Sequence, residues 1–122
     1  MPIVDVEIVA APEDKLAADL AQSLADAAGR ALDSPPGRTW VRLRVLAHEH
    51  YAENGLLRES TELPVFVTVL KRTLPEAAVL AREMARLAGS IAEATGRDPA
   101  LVHIEYAPAA VGRLSFGGKL VQ

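Results

Sequence analysis

A few short stretches of the chain carry side chains whose types and spacing could do chemistry. In MPIVDVEIV a proline directly follows methionine. Once Met1 is removed, Pro2 is a secondary amine held at the end of a strand, a base and a nucleophile. Proline also suits a strand's first residue for a purely structural reason, because it has no N–H to give to a sheet. In VRLRV, Arg42 and Arg44 alternate onto one strand face. A guanidinium fork grips a carboxylate by two parallel hydrogen bonds, although a solvated strand face accounts for two basic residues equally well. HEH at 48–50 sets two imidazoles on one side of a strand end, with His103 as a third candidate. A metal needs three or four convergent ligands, and a polar strand end is the preferred reading, so no metal site is assigned. GRLSFGGK at 112–119 has the glycines of a phosphate loop. It lacks the Gly-Lys-Ser/Thr ending and leaves no room for a following helix, so it reads as a flexible closing segment. No motif calls for a cofactor.

The composition narrows the classes. With 122 residues there is enough chain for one core and too little for two ordinary domains. Half of the residues are apolar and about a quarter are charged, with a net charge of −3. That is a globular balance with no polyanion footprint, so nucleic acid is not expected as a partner. Without cysteine there are no disulfides, thiolate metal sites or cysteine nucleophiles. Asp5 and Glu7 break up the first residues as a signal peptide, and no apolar run is long enough for a membrane span. A cytoplasmic, membrane-free protein is the expectation.

The elements that must position Pro2 and the arginines follow from periodicity. PIVDVEIV (2–9) alternates Val4, Val6 and Ile8 against Asp5 and Glu7, which is strand spacing. Leu16, Leu20, Leu24, Ala27, Ala28 and Ala31 form a helical stripe. Pro12 suits that helix's first turn, and Glu13 and Asp14 suit its dipole. DSPPG (33–37) ends the helix, and a strand follows at 39–47. LPVFVTVLKR (63–72) is a strand apolar on both faces, hence interior. Thr73 and Glu76 have capping-box spacing before a helix over 74–96, with Leu80, Met84, Leu87 and Ile91 buried and Gly96 as C-cap. ALVHIEYA (100–107) is the closing strand.

The two halves repeat. Pro64 lies 62 positions after Pro2 and His103 lies 61 after Arg42. This is a tandem βαβ duplication, with repeats over 1–60 and 61–122 of a single domain. The expected architecture is α/β (α+β), a four-stranded sheet with both helices on one face. The opposite face, with Trp40, Leu46, Pro64, Phe66 and Leu70 to cover, points to an oligomer.

Proline at position 2, the duplicated βαβ unit of about sixty residues and the Gly-Gly segment near the C-terminus together resemble the tautomerase superfamily. The first half (PIVDVEIV, the Ala/Leu helix, LDSP, VRLRV) looks like 4-oxalocrotonate tautomerase. The second half (TVLKR, RLSFGG) is similar to malonate semialdehyde decarboxylase and the cis-3-chloroacrylic acid dehalogenases. The double-length layout is similar to the macrophage migration inhibitory factor group. The resemblance implies a homotrimer whose sheets form a central barrel. It implies Pro2 as the catalytic general base, and a tautomerase-type isomerase moving a proton on a small carboxylate such as a 2-hydroxy-dienoate or enol-pyruvate acid. It places carboxylate-binding arginines at Arg42 and Arg72, with Arg44 the weaker choice. Trp40, Leu114 and Phe116 supply apolar walls, the last two carried over a neighbouring subunit's pocket by residues 112–120.

An apolar pocket and nearby cations both disfavour a protonated amine and bring its pKa towards neutrality. The chain also departs from each pattern. AAPED stands where the tautomerase has an arginine. Leu74 replaces the second arginine of the decarboxylase and dehalogenase groups. Gly37 and Arg38 fall where the decarboxylase has an acid, and Tyr106 falls where the dehalogenase has its water-activating glutamate. Dehalogenation or decarboxylation of a three-carbon acid is therefore the alternative activity. A trimeric binding module that keeps Met1 is the alternative without catalysis.

Overall fold

The computed structural model describes residues 1–122. Strand β1 (Pro2–Ala10) leads through a turn region to helix α1 (Leu20–Ala31) and strand β2 (Trp40–Ala47). Strand β3 (Val65–Lys71), helix α2 (Ala77–Thr95) and strand β4 (Val102–Tyr106) repeat that order, and a short hairpin, β5 (Ser115–Phe116) and β6 (Lys119–Leu120), follows. The main sheet runs β2-β1-β3-β4. β1 and β2 are parallel, β3 and β4 are parallel, and the two pairs meet antiparallel along β1 and β3. The fold is thus the α+β class expected, with a four-stranded mixed sheet and two helices.

Alternation decides the faces. Val4, Val6 and Ile8 of β1 and Val65, Val67 and Val69 of β3 are fully buried, and they pack with Leu24 of α1 and Leu87 and Ile91 of α2. The intervening residues Ile3, Asp5, Glu7, Phe66, Thr68 and Leu70 lie on the other face and are only partly covered or exposed. That second face is closed at one end by the chain itself. Tyr51 and Leu63, from the connection between β2 and β3, pack over Val9 and Leu46.

Several expectations about local structure fail: Leu80 and Met84 of α2 are only half-buried, and at the start of α1 a distant partner decides the boundary. α1 begins at Leu20, not near Pro12. Asp14, expected in the first helical turn, folds back instead: it accepts from the Ala11 N–H at 2.8 Å and from Arg97 Nη2 at 3.3 Å. A turn closed reciprocally between Ala11 and Asp14, and tied to a residue 83 positions away, outcompetes the local stripe. The Thr73–Glu76 capping box does not form. Glu76 is itself the residue before the helix, with no side-chain cap. HEH is a single 3-10 turn after β2 rather than strand, so His48 and His50 do not share a strand face. Gly96 does end α2 in the left-handed region, at φ +71°, where a side chain would be strained.

Candidate active site

Pro2 is the first residue of β1 and is buried. It belongs to the alternation of Val4, Val6 and Ile8, so its ring faces the helices. β1 is interior, so strands flank Pro2 on both sides. Its antiparallel partner is Lys71, and the parallel register of Ile3 with Trp40 sets Thr39 and Arg38 beside the start of the strand. Met1 precedes Pro2 here, so the free amine is that of Met1. Burial, and then the Arg38 guanidinium, hold that ammonium below its ordinary value. Both act in the direction that makes an amine at this strand end a better base near neutrality. Arg38 was not among the cations singled out in the sequence. Its flanking Gly37 and Thr39 mark it as a turn residue, and only the β1–β2 register brings it to the amine.

The other residues expected at the site divide into two groups. Trp40 is close: it pairs in register with Ile3, and its ring stacks on Phe116 with centroids 4.7 Å apart and planes at 27°. Phe116 sits at the tip of the β5–β6 hairpin, which folds back on its own chain through Gly112 N–H to Val121 O at 2.8 Å and Val121 N–H to Leu114 O at 2.8 Å. Leu114 is half-buried within this hairpin's base. Phe116 thus has an aromatic partner within its own chain.

Arg72 follows Lys71 at the same end of the sheet, and its Nε donates to the Gln122 carbonyl oxygen. Val111 N–H donates to the Arg72 carbonyl at 3.1 Å, which ties the C-terminal segment to this end. Arg42 and Arg44 lie further along β2 on the open face, opposite Asp5 and Glu7. Arg42 is engaged: Nε and Nη2 hold the two Asp5 oxygens at 2.6 and 2.9 Å.

Beneath Pro2 lies a polar group that sequence reading missed. Glu83 of α2 is only 7% exposed. Lys71 Nζ donates to its Oε1 at 2.9 Å, and the Tyr106 hydroxyl donates to its Oε2 at 2.5 Å. The available signal was an acid among Leu80, Met84 and Leu87, on the stripe that must face the sheet.

Pro2 lines none of the five main cavities of the chain. The amine end therefore has a floor, two flanks and an aromatic stack nearby, but no closing wall from the same chain.

No protein-family model and no curated protein sequence matches the chain. Solved structures do. Pt0534 inactivated by 2-oxo-3-pentynoate has a TM-score of 0.75 and 17% identity, over 98% of this chain and 94% of that one. Macrophage migration inhibitory factor from Oncomelania hupensis has a TM-score of 0.71 and 26% identity, over 100% and 83%. The fused 4-OT protein Q0, a symmetric trimer, has a TM-score of 0.72 and 16% identity, over 98% and 94%. The resemblance drawn from Pro2, the duplication and the glycine-rich segment holds at the level of three-dimensional structure: this chain has the fold of the tautomerase superfamily.

Proposed function

We propose that this chain is a tautomerase-like isomerase in which Pro2, freed by removal of Met1, is the general base. Its substrate is a small carboxylic acid of the 2-hydroxy-dienoate or enol-pyruvate type, between whose carbons or oxygen it carries a proton in a keto–enol or 1,3/1,5 transfer. The observation that carries this reading is the setting of the strand end. A buried proline starts the strand, and the Met1 amine next to it is held below its ordinary value by burial and by the Arg38 cation. A prolyl amine in water is mostly protonated at neutral pH, and both influences favour the neutral base.

Arg38 also serves the substrate. It makes no ion pair within the chain, whereas Arg42 is occupied by Asp5 and Arg72 by the C-terminal carbonyl. Of these guanidiniums it is the one free to draw a carboxylate to the amine, and in the bound state Arg72 and Arg42 would exchange their present partners for it. Trp40 and Phe116 form the apolar side. The missing wall is supplied by a second subunit in a homotrimer near 39 kDa, three times the 13.0 kDa chain. The open sheet face, on which Trp40 and Phe66 are exposed, becomes the inner surface of that assembly.

The test begins with the intact mass of the protein from its native host, which reports whether Met1 is lost. Ultraviolet assays with phenylenolpyruvate and 2-hydroxymuconate then follow ketonisation. Pro2→Ala is expected to reduce kcat/KM by at least about a hundredfold, the usual contribution of a general base. 2-Oxo-3-pentynoate is expected to add covalently to Pro2 and block it. Activity unchanged in Pro2→Ala, or a native mass that retains methionine, overturns the mechanism. Light scattering that finds a stable monomer overturns the shared pocket.

A further inference from the structure

The Lys71–Glu83–Tyr106 group, with Glu83 buried and Lys71 and Tyr106 half-buried, has no evident structural purpose. Taking two charges out of water costs about as much as their attraction returns, and well-packed apolar residues are often as stable. An apolar side chain at position 83 would simply continue the stripe of Leu80 and Leu87. The group nevertheless joins three elements, with both Glu83 oxygens bonded, and it does so under the end of the sheet that holds Pro2.

The register shows what it can act on. Lys71 is the direct antiparallel partner of Pro2, a relationship that sets Cα atoms about 4.5–5.5 Å apart, and both residues face the helices. An ammonium there, if uncompensated, would add to Arg38 in opposing protonation of the Pro2 amine. Glu83 compensates it. Tyr106 keeps its proton throughout, because burial first and then the Glu83 carboxylate push its pKa up, so it remains a neutral donor. The remaining charges near this end are otherwise engaged. Arg72 bonds the Gln122 carbonyl, and Arg86 bonds the Ala31 carbonyl at 2.8 Å and Asp33 at 3.8 Å.

We infer that the closed Lys71–Glu83 pair sets the proton affinity of the Pro2 amine: Glu83 cancels the charge of Lys71 beside the proline and leaves Arg38 as the governing cation. Lys71 and Glu83 are positioning residues in this scheme, acting on the base and not on substrate. The inference rests on the reading of Pro2 as a free amine.

The experiment titrates that amine directly. Protein labelled with nitrogen-15 at proline, with Met1 removed and the removal verified by mass, is followed by NMR at the Pro2 nitrogen. Glu83→Gln leaves Lys71 unopposed and is expected to lower the amine pKa by roughly half a unit to one unit. The double variant Lys71→Met/Glu83→Gln removes both charges and is expected to return it to within about 0.2 unit of the parent, a restoration that mere damage to the packing would not produce. The charge-swapped variant Lys71→Glu/Glu83→Lys keeps a pair, and with it the fold, but turns the carboxylate towards Pro2; the pKa is expected to rise. This variant decides the matter if Glu83→Gln does not fold. An amine pKa that stays at the parent value in Glu83→Gln and in the swap overturns the inference. Expected shifts in a protein that ketonises none of the substrates leave the inference standing and remove the proposed activity, so the two can fail separately.

Discussion

Arg42 and Asp5 form a two-point ion pair across β1 and β2, with Nε to Oδ1 at 2.6 Å and Nη2 to Oδ2 at 2.9 Å. The fork expected to grip a substrate carboxylate already grips one of the protein's own. The Arg42 side chain is nevertheless 66% exposed, so an incoming carboxylate competes with Asp5 in water rather than in a sealed core. Asp5→Asn removes the competitor and is expected to lower KM several-fold with little change in kcat. Arg42→Gln is expected to raise KM by about tenfold or more. Steady-state kinetics with phenylenolpyruvate read both. Unchanged KM in the two variants would leave the pair as a surface contact only.

Arg38 is expected to hold down the pKa of the amine at position 2. Its removal relieves the repulsion of a protonated amine, so the folded-state pKa rises. The base must be neutral to act, and activity climbs with pH through that pKa. In Arg38→Gln the acidic limb of the kcat/KM profile is therefore expected to move to higher pH, opposite to the movement expected for Glu83→Gln. A limb that stays in place would remove Arg38 from the mechanism.

Thr39 carries the one buried side-chain oxygen in the chain that has no hydrogen-bond partner. A buried hydroxyl without a partner keeps its desolvation cost, about 1–3 kcal/mol. Thr39→Val preserves the branched shape and removes the hydroxyl. It is expected to stabilise the fold by about 1 kcal/mol, read from the urea midpoint at fixed protein concentration. A loss of stability would mean that the hydroxyl has a partner in solution.

The connection between β2 and β3 is expected to be acid-sensitive. Glu53 is held below its ordinary value of 4.5, first by the Arg58 hydrogen bond and then by that of Tyr51. A carboxylate whose folded pKa is depressed contributes stability above the unfolded value and loses it as pH falls through the folded one. Protection of the Leu56 amide, whose N–H donates to the Glu53 carbonyl, against hydrogen exchange is expected to fall below pH 4.5 once rates are corrected for the intrinsic exchange rate at each pH. Glu53→Gln should show the same reduced protection at neutral pH. Equal protection in the acid and neutral states would dissociate the loop from this carboxylate.

What the sequence by itself determined is what depends on short-range periodicity. The alternation of Val4, Val6 and Ile8 against Asp5 and Glu7 places Pro2 at the buried start of a strand. The spacing of Leu80, Leu87 and Ile91 gives α2, and Gly96 ends it because only a residue without a side chain enters the left-handed region freely. The repeat of these patterns, with the glycine-rich tail, was enough to name the fold. Tertiary structure decided everything that depends on which strands lie side by side. Asp14 left the helix for Arg97, and Arg42 took Asp5 as its partner. Arg38 came to the amine through the β1–β2 register, and Lys71 came to Pro2 through the β1–β3 register. Charge interactions act through space and fall off over a few ångströms, so a partner 37 or 83 positions away leaves no mark on local spacing. Glu83 is the intermediate case: its place on an apolar stripe was legible, but its two partners were not, because they come from β3 and β4 and meet only when the helix is laid on the sheet.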